Sequence, residues 1–145
     1  MTKEELLFAP ETPLGKFELA VRKAWCQETA YPGNQPEWNS DNPALGQCAV
    51  TLLVLMDYFP GGRILRSEKF HHYAYDFRGQ MVDFTGEQFG PGVKIQFDGE
   101  RNRADLLETQ AAIKAGTPGR YMLLAHKVRE VLGCPDQFWL HLSMC

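Results

Sequence analysis

The sequence predicts an α+β domain in which an antiparallel sheet packs on a central buried helix. Three observations carry that prediction. Residues 44–59 are almost wholly apolar, as in a helix enclosed on every side. Two runs rich in aromatic and β-branched residues, 70–76 and 80–85, flank a Gly-containing turn and read as a hairpin. Helical patterns cluster before and after these runs instead of alternating with them, which argues against a doubly wound parallel sheet.

Taken in order, residues 1–13 read as an irregular arm with Pro10 and Pro13. Phe17, Val21, Ala24 and Trp25 share one face at helical spacing, so a helix is expected over residues 14–25. Residues 31–43, rich in Pro, Gly, Asn and Asp, form a loop. Asp41-Asn42-Pro43 marks the entry to the apolar helix, and Gly61-Gly62 ends it, because Gly readily takes the left-handed stop conformation. Residues 63–67 begin the strands. A short third strand is expected over 94–97, followed by a turn at Asp98-Gly99. Residues 103–115 and 117–132 read as helices. The second is the stronger, with Thr117 as cap, Pro118 in the first turn and Tyr121, Leu124, Ala125, Val128 and Leu132 in a stripe. The tail, 137–142, alternates enough to suggest an edge strand. One domain over residues 1–145 accommodates all of this.

Composition narrows the function. Hydrophobic residues make up 44% and charged residues 23%, with a net charge of −3. That balance speaks against a nucleic-acid partner gripped through its phosphates. No stretch approaches the roughly 20 apolar residues that span a bilayer, and the acidic N-terminus does not resemble a secretory signal. The expected location is the cytoplasm, with no membrane partner. The cysteines at 26, 48, 134 and 145 fit neither C-x-x-C nor a zinc-finger spacing, and in the cytoplasm they stay reduced. No metal or cofactor is implied, and nothing sets an oligomeric state.

The chemistry concentrates at Cys48, near the start of the buried helix. The first N–H groups of a helix have no internal partners and its dipole is positive there, which favours a thiolate. Gly46 would let a substrate backbone approach, and Gln47 or Asn42 could donate an amide hydrogen bond to an oxyanion. With Arg78-Gly79 as a two-residue turn, the register carried back along the hairpin sets Asp83 opposite Ala74, one diagonal step from His72 on the same face. Diagonal neighbours lie about 7–8 Å apart at the backbone, within side-chain reach. His71 would point the other way, since side chains alternate. Cys48 would be the nucleophile and His72 its proton carrier. Asp83 would fix the imidazole tautomer, with Thr85 beside it.

Each residue alone has a plainer reading. A cysteine on an apolar helix ordinarily fills core, and a strand histidine is ordinarily structural. The coincidence of all three favours catalysis. A shared metal is disfavoured because His71 and His72 face opposite sides. Cys26, Cys134 and Cys145 read as structural or incidental, His126 and His141 as surface or partly buried residues, and Arg101, Arg103 and Arg120 as a basic patch or, more ordinarily, a solvated face.

The string Asn42-Pro43-Ala44-Leu45-Gly46-Gln47-Cys48-Ala49-Val50-Thr51 resembles the YunG-like family of small bacterial proteins. So do Asp57-Tyr58-Phe59, Gly61-Gly62, Ile64-Leu65-Arg66, His72-Tyr73 and Val82-Asp83-Phe84-Thr85 with Gln88-Phe89. The likeness covers about residues 15–132 and is densest from 37 to 89. It implies a bacterial cytoplasmic protein of similar fold, without naming a substrate. The chain departs at Ala74-Tyr75, where the family tends to Trp-Asn. The order Cys, His, Asp is also similar to papain- and transglutaminase-like thiol enzymes, a likeness at the level of fold. The expected function is a thiol hydrolase or acyl transferase (amidase, peptidase, deamidase or transglutaminase-like) acting on a small-molecule, peptide or protein amide. The alternatives are a ligand- or partner-binding domain using Tyr73, Tyr75, Phe70 and Trp38, or a thiol-enzyme fold that has lost turnover.

Overall fold

The computed structural model describes residues 7–143. In chain order it contains α1 (Pro13–Ala24), 3-10 turns at Gln27–Thr29 and Pro32–Glu37, α2 (Cys48–Tyr58), β1 (Arg63–Ser67), β2 (His72–Phe77) and β3 (Gln80–Val82). A 3-10 turn at Gly86–Phe89 leads to β4 (Gly99–Arg101), α3 (Arg103–Leu107), α4 (Gln110–Lys114), α5 (Thr117–Leu132) and α6 (Pro135–Ser143). The strands form one antiparallel sheet in the order β3-β2-β1-β4. The predicted α+β class with a central helix is what the chain adopts.

Helix α2 is the centre of the core. Val50, Leu53 and Val54 have no exposed surface, and Leu52, Leu55 and Tyr58 have almost none. An aromatic cluster closes its C-terminal end. Phe17 of α1 meets the Tyr58 and Phe59 rings at 5.6 and 5.9 Å, and Phe138 of α6 meets Tyr58 at 5.4 Å. Tyr75 of β2 is fully buried. Its hydroxyl donates to the Phe59 carbonyl at 2.7 Å and accepts from Gly62 N–H at 2.8 Å, tying the sheet to the end of α2. No described helix is long and apolar enough to cross a membrane.

Five expectations are corrected. The apolar helix begins at Cys48, not at residue 44, because Gly46 takes φ +73° and the helix cannot run through it. Residues 94–97 are not a strand; β4 lies at Gly99–Arg101, where the expected turn stood, and Leu65 pairs with Glu100. The free edge of β1 selects that segment, and Arg63–Glu100 and Arg101–Glu68 ion pairs line it. The helix over 103–115 breaks where Thr109 caps α4, its hydroxyl accepting from Ala112 N–H. Residues 137–142 are helical, not an edge strand. Pro135 opens α6, and burial of Phe138 against Tyr58 and Phe59 requires the helical form. Helix α5 keeps its predicted span, but Gly116, at φ +68°, is its cap in place of Thr117. Residues 1–6 of the predicted arm over 1–13, the His141 side chain and Cys145 lie outside the described residues.

Candidate functional site

Cys48 is the first residue of α2. Gln47 caps the helix without a side-chain hydrogen bond, which among the described residues leaves N–H groups of the first turn open. Cys48 is half-buried as a residue, which separates it from the aliphatic interior that starts at Val50.

His72 opens β2 and has no exposed surface. Its Nε2 lies 2.9 Å from each oxygen of Asp83. The hairpin explains the contact. Arg78 at φ +54° and Gly79 at φ +83° make the two-residue turn, and Phe77 pairs with Gln80 and Tyr75 with Val82. The same register, extended one step, sets Asp83 opposite Ala74. Thr85 anchors the carboxylate, its N–H and hydroxyl reaching Oδ1 at 3.3 and 3.4 Å. Gly86 leaves room for it, since a Cβ there would stand 2.7 Å from Oδ2.

With Nε2 committed to Asp83, Nδ1 is the nitrogen left for Cys48. Among the described residues it is buried without a partner at full hydrogen-bond geometry. The sulfur is nonetheless near enough to act on the ring. Burial pulls the imidazolium down, but hydrogen bonding to Asp83 and then to Cys48, with their charges, outweighs it and lifts His72 from 6.5 to about 9. Phe89 meets the ring edge-on at 5.1 Å, and Phe97 lies at 6.1 Å. A cavity of about 10 Å³, room for about one water, lies between α2 and the sheet beside Cys48, Thr51, Ala74, Asp83 and Thr85. A wider hollow of about 520 Å³ borders Asp83 and Glu18 but does not reach Cys48.

The other predicted residues fall into place differently. Gln47 is fully buried, and its carboxamide is engaged at both ends: Nε2 donates to Cys26 O at 3.0 Å and Oε1 accepts from Thr29 Oγ1 at 2.8 Å. Asn42 is half-exposed, and among the described residues its side chain reaches only Gln88 O, at 3.5 Å. The side of Gly46 where a Cβ would project is filled by Tyr31 and Asn34 of the same chain, so its glycine serves the loop's close packing and not a substrate's approach. His71 is exposed, with Nδ1 3.1 Å from Arg66. Cys26 is half-buried and Cys134 exposed. His126 pairs with Glu130 on the surface of α5. Among the described residues no three His, Cys, Asp or Glu side chains group as metal ligands. Of the aromatics a binding surface would use, Tyr75 is enclosed, while Tyr73, Phe70 and Trp38 are half-exposed.

Two of the arginines do more than line a solvated face. Arg103 is half-buried, donating to Leu53 O at 3.4 Å and to the Tyr121 hydroxyl at 2.8 Å and pairing with Asp57 at 3.2 Å. Arg120 is not on a solvated face; it is 8% exposed. Burial lowers its guanidinium below the ordinary range, and charge on Cys48 and then Tyr31 opposes that shift. Arg120 stands one turn before Leu124 on the α5 stripe, but a long Arg side chain at such a place ordinarily snorkels to water, so its enclosure has no local signal.

The fold and site together define an α+β protein with a half-buried cysteine at a helix start and, at its side, a buried histidine bonded to a half-buried aspartate. A sequence model of the YunG protein family matches residues 13–133, and the chain belongs to that family. The chain is 31% identical over 78 residues to a protein of Bacillus subtilis (strain 168) named "Uncharacterized protein YunG". The aligned segment spans 52% of this chain and 63% of that relative. No solved structure matches the chain.

Proposed function

We propose that the chain is a thiol hydrolase or acyl transferase with a papain/transglutaminase-like core, acting in the cytoplasm on an amide of a small molecule, peptide or protein. The observation that carries this reading is the buried His72, bonded through Nε2 to Asp83 and neighboured on its other side by the half-buried Cys48. An imidazole that titrates near 9 is protonated at neutral pH. It then serves first as an acid beside a thiolate.

In the proposed reaction the Cys48 thiolate attacks the acyl carbon and the carbonyl electrons move onto oxygen. Free N–H groups at the start of α2 hold that oxyanion. Gln47 is spent on the loop, so a side-chain donor would be Asn42. As the oxyanion collapses, the C–N bond breaks and His72 Nδ1–H protonates the leaving amine. The thioester is then attacked by water or a second amine, whose proton returns to Nδ1 as the C–S bond breaks. Asp83 stays ionised and holds the ring.

The test is the rate of Cys48 alkylation by iodoacetamide against pH. A free thiol with a pKa of about 8.5 is roughly 0.3% thiolate at pH 6. Cys48 is expected to react there at least about tenfold faster than such a thiol. His72→Ala should abolish the advantage, and His71→Ala, at the exposed neighbour, should leave it unchanged. Free-thiol behaviour in the unaltered chain overturns the proposal. A binding module without turnover has its own support in Phe70 and Phe89, half-exposed rings in contact at 5.1 Å beside the site. It predicts ordinary thiol reactivity at Cys48.

A further inference from the structure

Arg120 lies near the start of α5 with its guanidinium enclosed. Among the described residues its hydrogen bonds all go to neutral oxygens: Nε donates to Ala115 O, Nη1 to Thr29 O and Nη2 to Thr117 Oγ1, each at 3.1 Å. Among the described residues no carboxylate pairs with it. A buried cation without a counter-charge is costly, and an apolar side chain of similar volume would fill the space without that cost. A guanidinium here therefore asks for a negative charge that is not a carboxylate.

Two independent features direct it toward Cys48. The first is connection. Thr29, whose carbonyl Arg120 holds, donates its hydroxyl to Gln47, the residue immediately before Cys48. Tyr31 N–H bonds Gly46 O at 2.8 Å, and the Tyr31 ring lies 6.0 Å from the Arg120 guanidinium. Residues 26–31 are thus clamped between Arg120 and the backbone that presents the sulfur. The second is charge. Cys48 and Tyr31 are the ionisable groups that act on Arg120, and Cys48 is the one that becomes negative in the proposed reaction.

We propose that Arg120 is a positioning residue for Cys48: it fixes the 26–31 loop against the start of α2 and sets an unpaired positive charge toward the sulfur, as a second buried cation beside His72. The inference rests on the thiol-enzyme reading above. Among the described residues, the titratable and charged groups coupled to Cys48 include His72 and Tyr73 from β2 and Arg120 from α5, with Arg66 behind Tyr73 at 4.7 Å from its ring. Tyr31 covers the outer side of Arg120.

The experiment is the pH profile of Cys48 alkylation in the full chain and in Arg120→Met, Arg120→Lys and His72→Ala, each first checked by its thermal melt. Arg120→Met fills the volume without the charge. It should move the acid limb up by about one pH unit, a roughly tenfold fall in rate below the limb. Arg120→Lys, which keeps a cation, should stay within about twofold of the unaltered chain. A folded Arg120→Met with the original limb overturns the inference. If His72→Ala shifts the limb and Arg120→Met does not, the thiol site stands and Arg120 is only structural. If neither shifts it, both readings fall. Should Arg120→Met not fold, iodoacetate and iodoacetamide are compared on His72→Ala. A ratio several-fold above that of glutathione supports the buried cation, and an equal ratio overturns it.

Discussion

Asp83→Asn offers the most direct measurement of the site's energetics. His72 has no exposed surface, and its imidazole titrates near 9 in the fold against 6.5 in an ordinary setting. Burial alone would lower it; the Asp83 hydrogen bond is the largest upward contribution. A group whose folded pKa is raised stabilises the fold fully below its unfolded pKa, and the gain is lost as pH rises through the folded value. For His72 that gain is about 3 kcal/mol, complete below about pH 6.5 and gone above about pH 9. Asp83→Asn removes the charge and leaves the imidazole buried, so His72 should titrate at or below its ordinary value. Urea unfolding of both proteins at pH 6, 8 and 10 reads the effect, with the His72 ring followed by nitrogen NMR. The variant should be about 2–3 kcal/mol less stable at pH 6, narrowing to under about 1 kcal/mol at pH 10. Cys48 is common to both proteins and largely cancels in the difference. A deficit that does not change with pH, or a His72 that still titrates near 9 in the variant, refutes the reasoning.

Two further substitutions test how the site is held. Tyr75→Phe removes a buried hydroxyl that serves both Phe59 O and Gly62 N–H. It should cost about 1–3 kcal/mol, lowering the melting temperature by roughly 2–12 °C in calorimetry. Gly46→Ala forces a side chain into φ +73° with its Cβ 2.9 Å from Tyr31 N. A loss of about 1–3 kcal/mol in urea unfolding is expected, with slower Cys48 alkylation as the approach to α2 shifts.

Much of the site was legible because it depends on short-range rules. A turn with Gly79 at its second position sets the register of the hairpin. Register alone decides that Asp83 meets His72, whereas His71 reaches the surface as the last residue of the β1–β2 turn, at φ +49°. The first residue of α2 could be placed only roughly. Residues 44–47 look as helical as those that follow, yet Gly46 is held left-handed by Tyr31 and Gln88 from distant parts of the chain.

By itself the sequence determined the α+β class, the buried central helix, the hairpin pairing and the span of the long helix at 117–132. Periodicity and turn chemistry act over a few residues and need no tertiary partner. Only the tertiary structure decided which segment completes the sheet, that the tail folds as a helix on Tyr58 and Phe59, and that Arg120 turns inward. Arg120 and Thr29 stand 91 positions apart in the chain, and nothing local distinguishes a guanidinium that will be enclosed from one that will face water. Its neighbours become defined only once α5 has packed against α2 and the 26–31 loop.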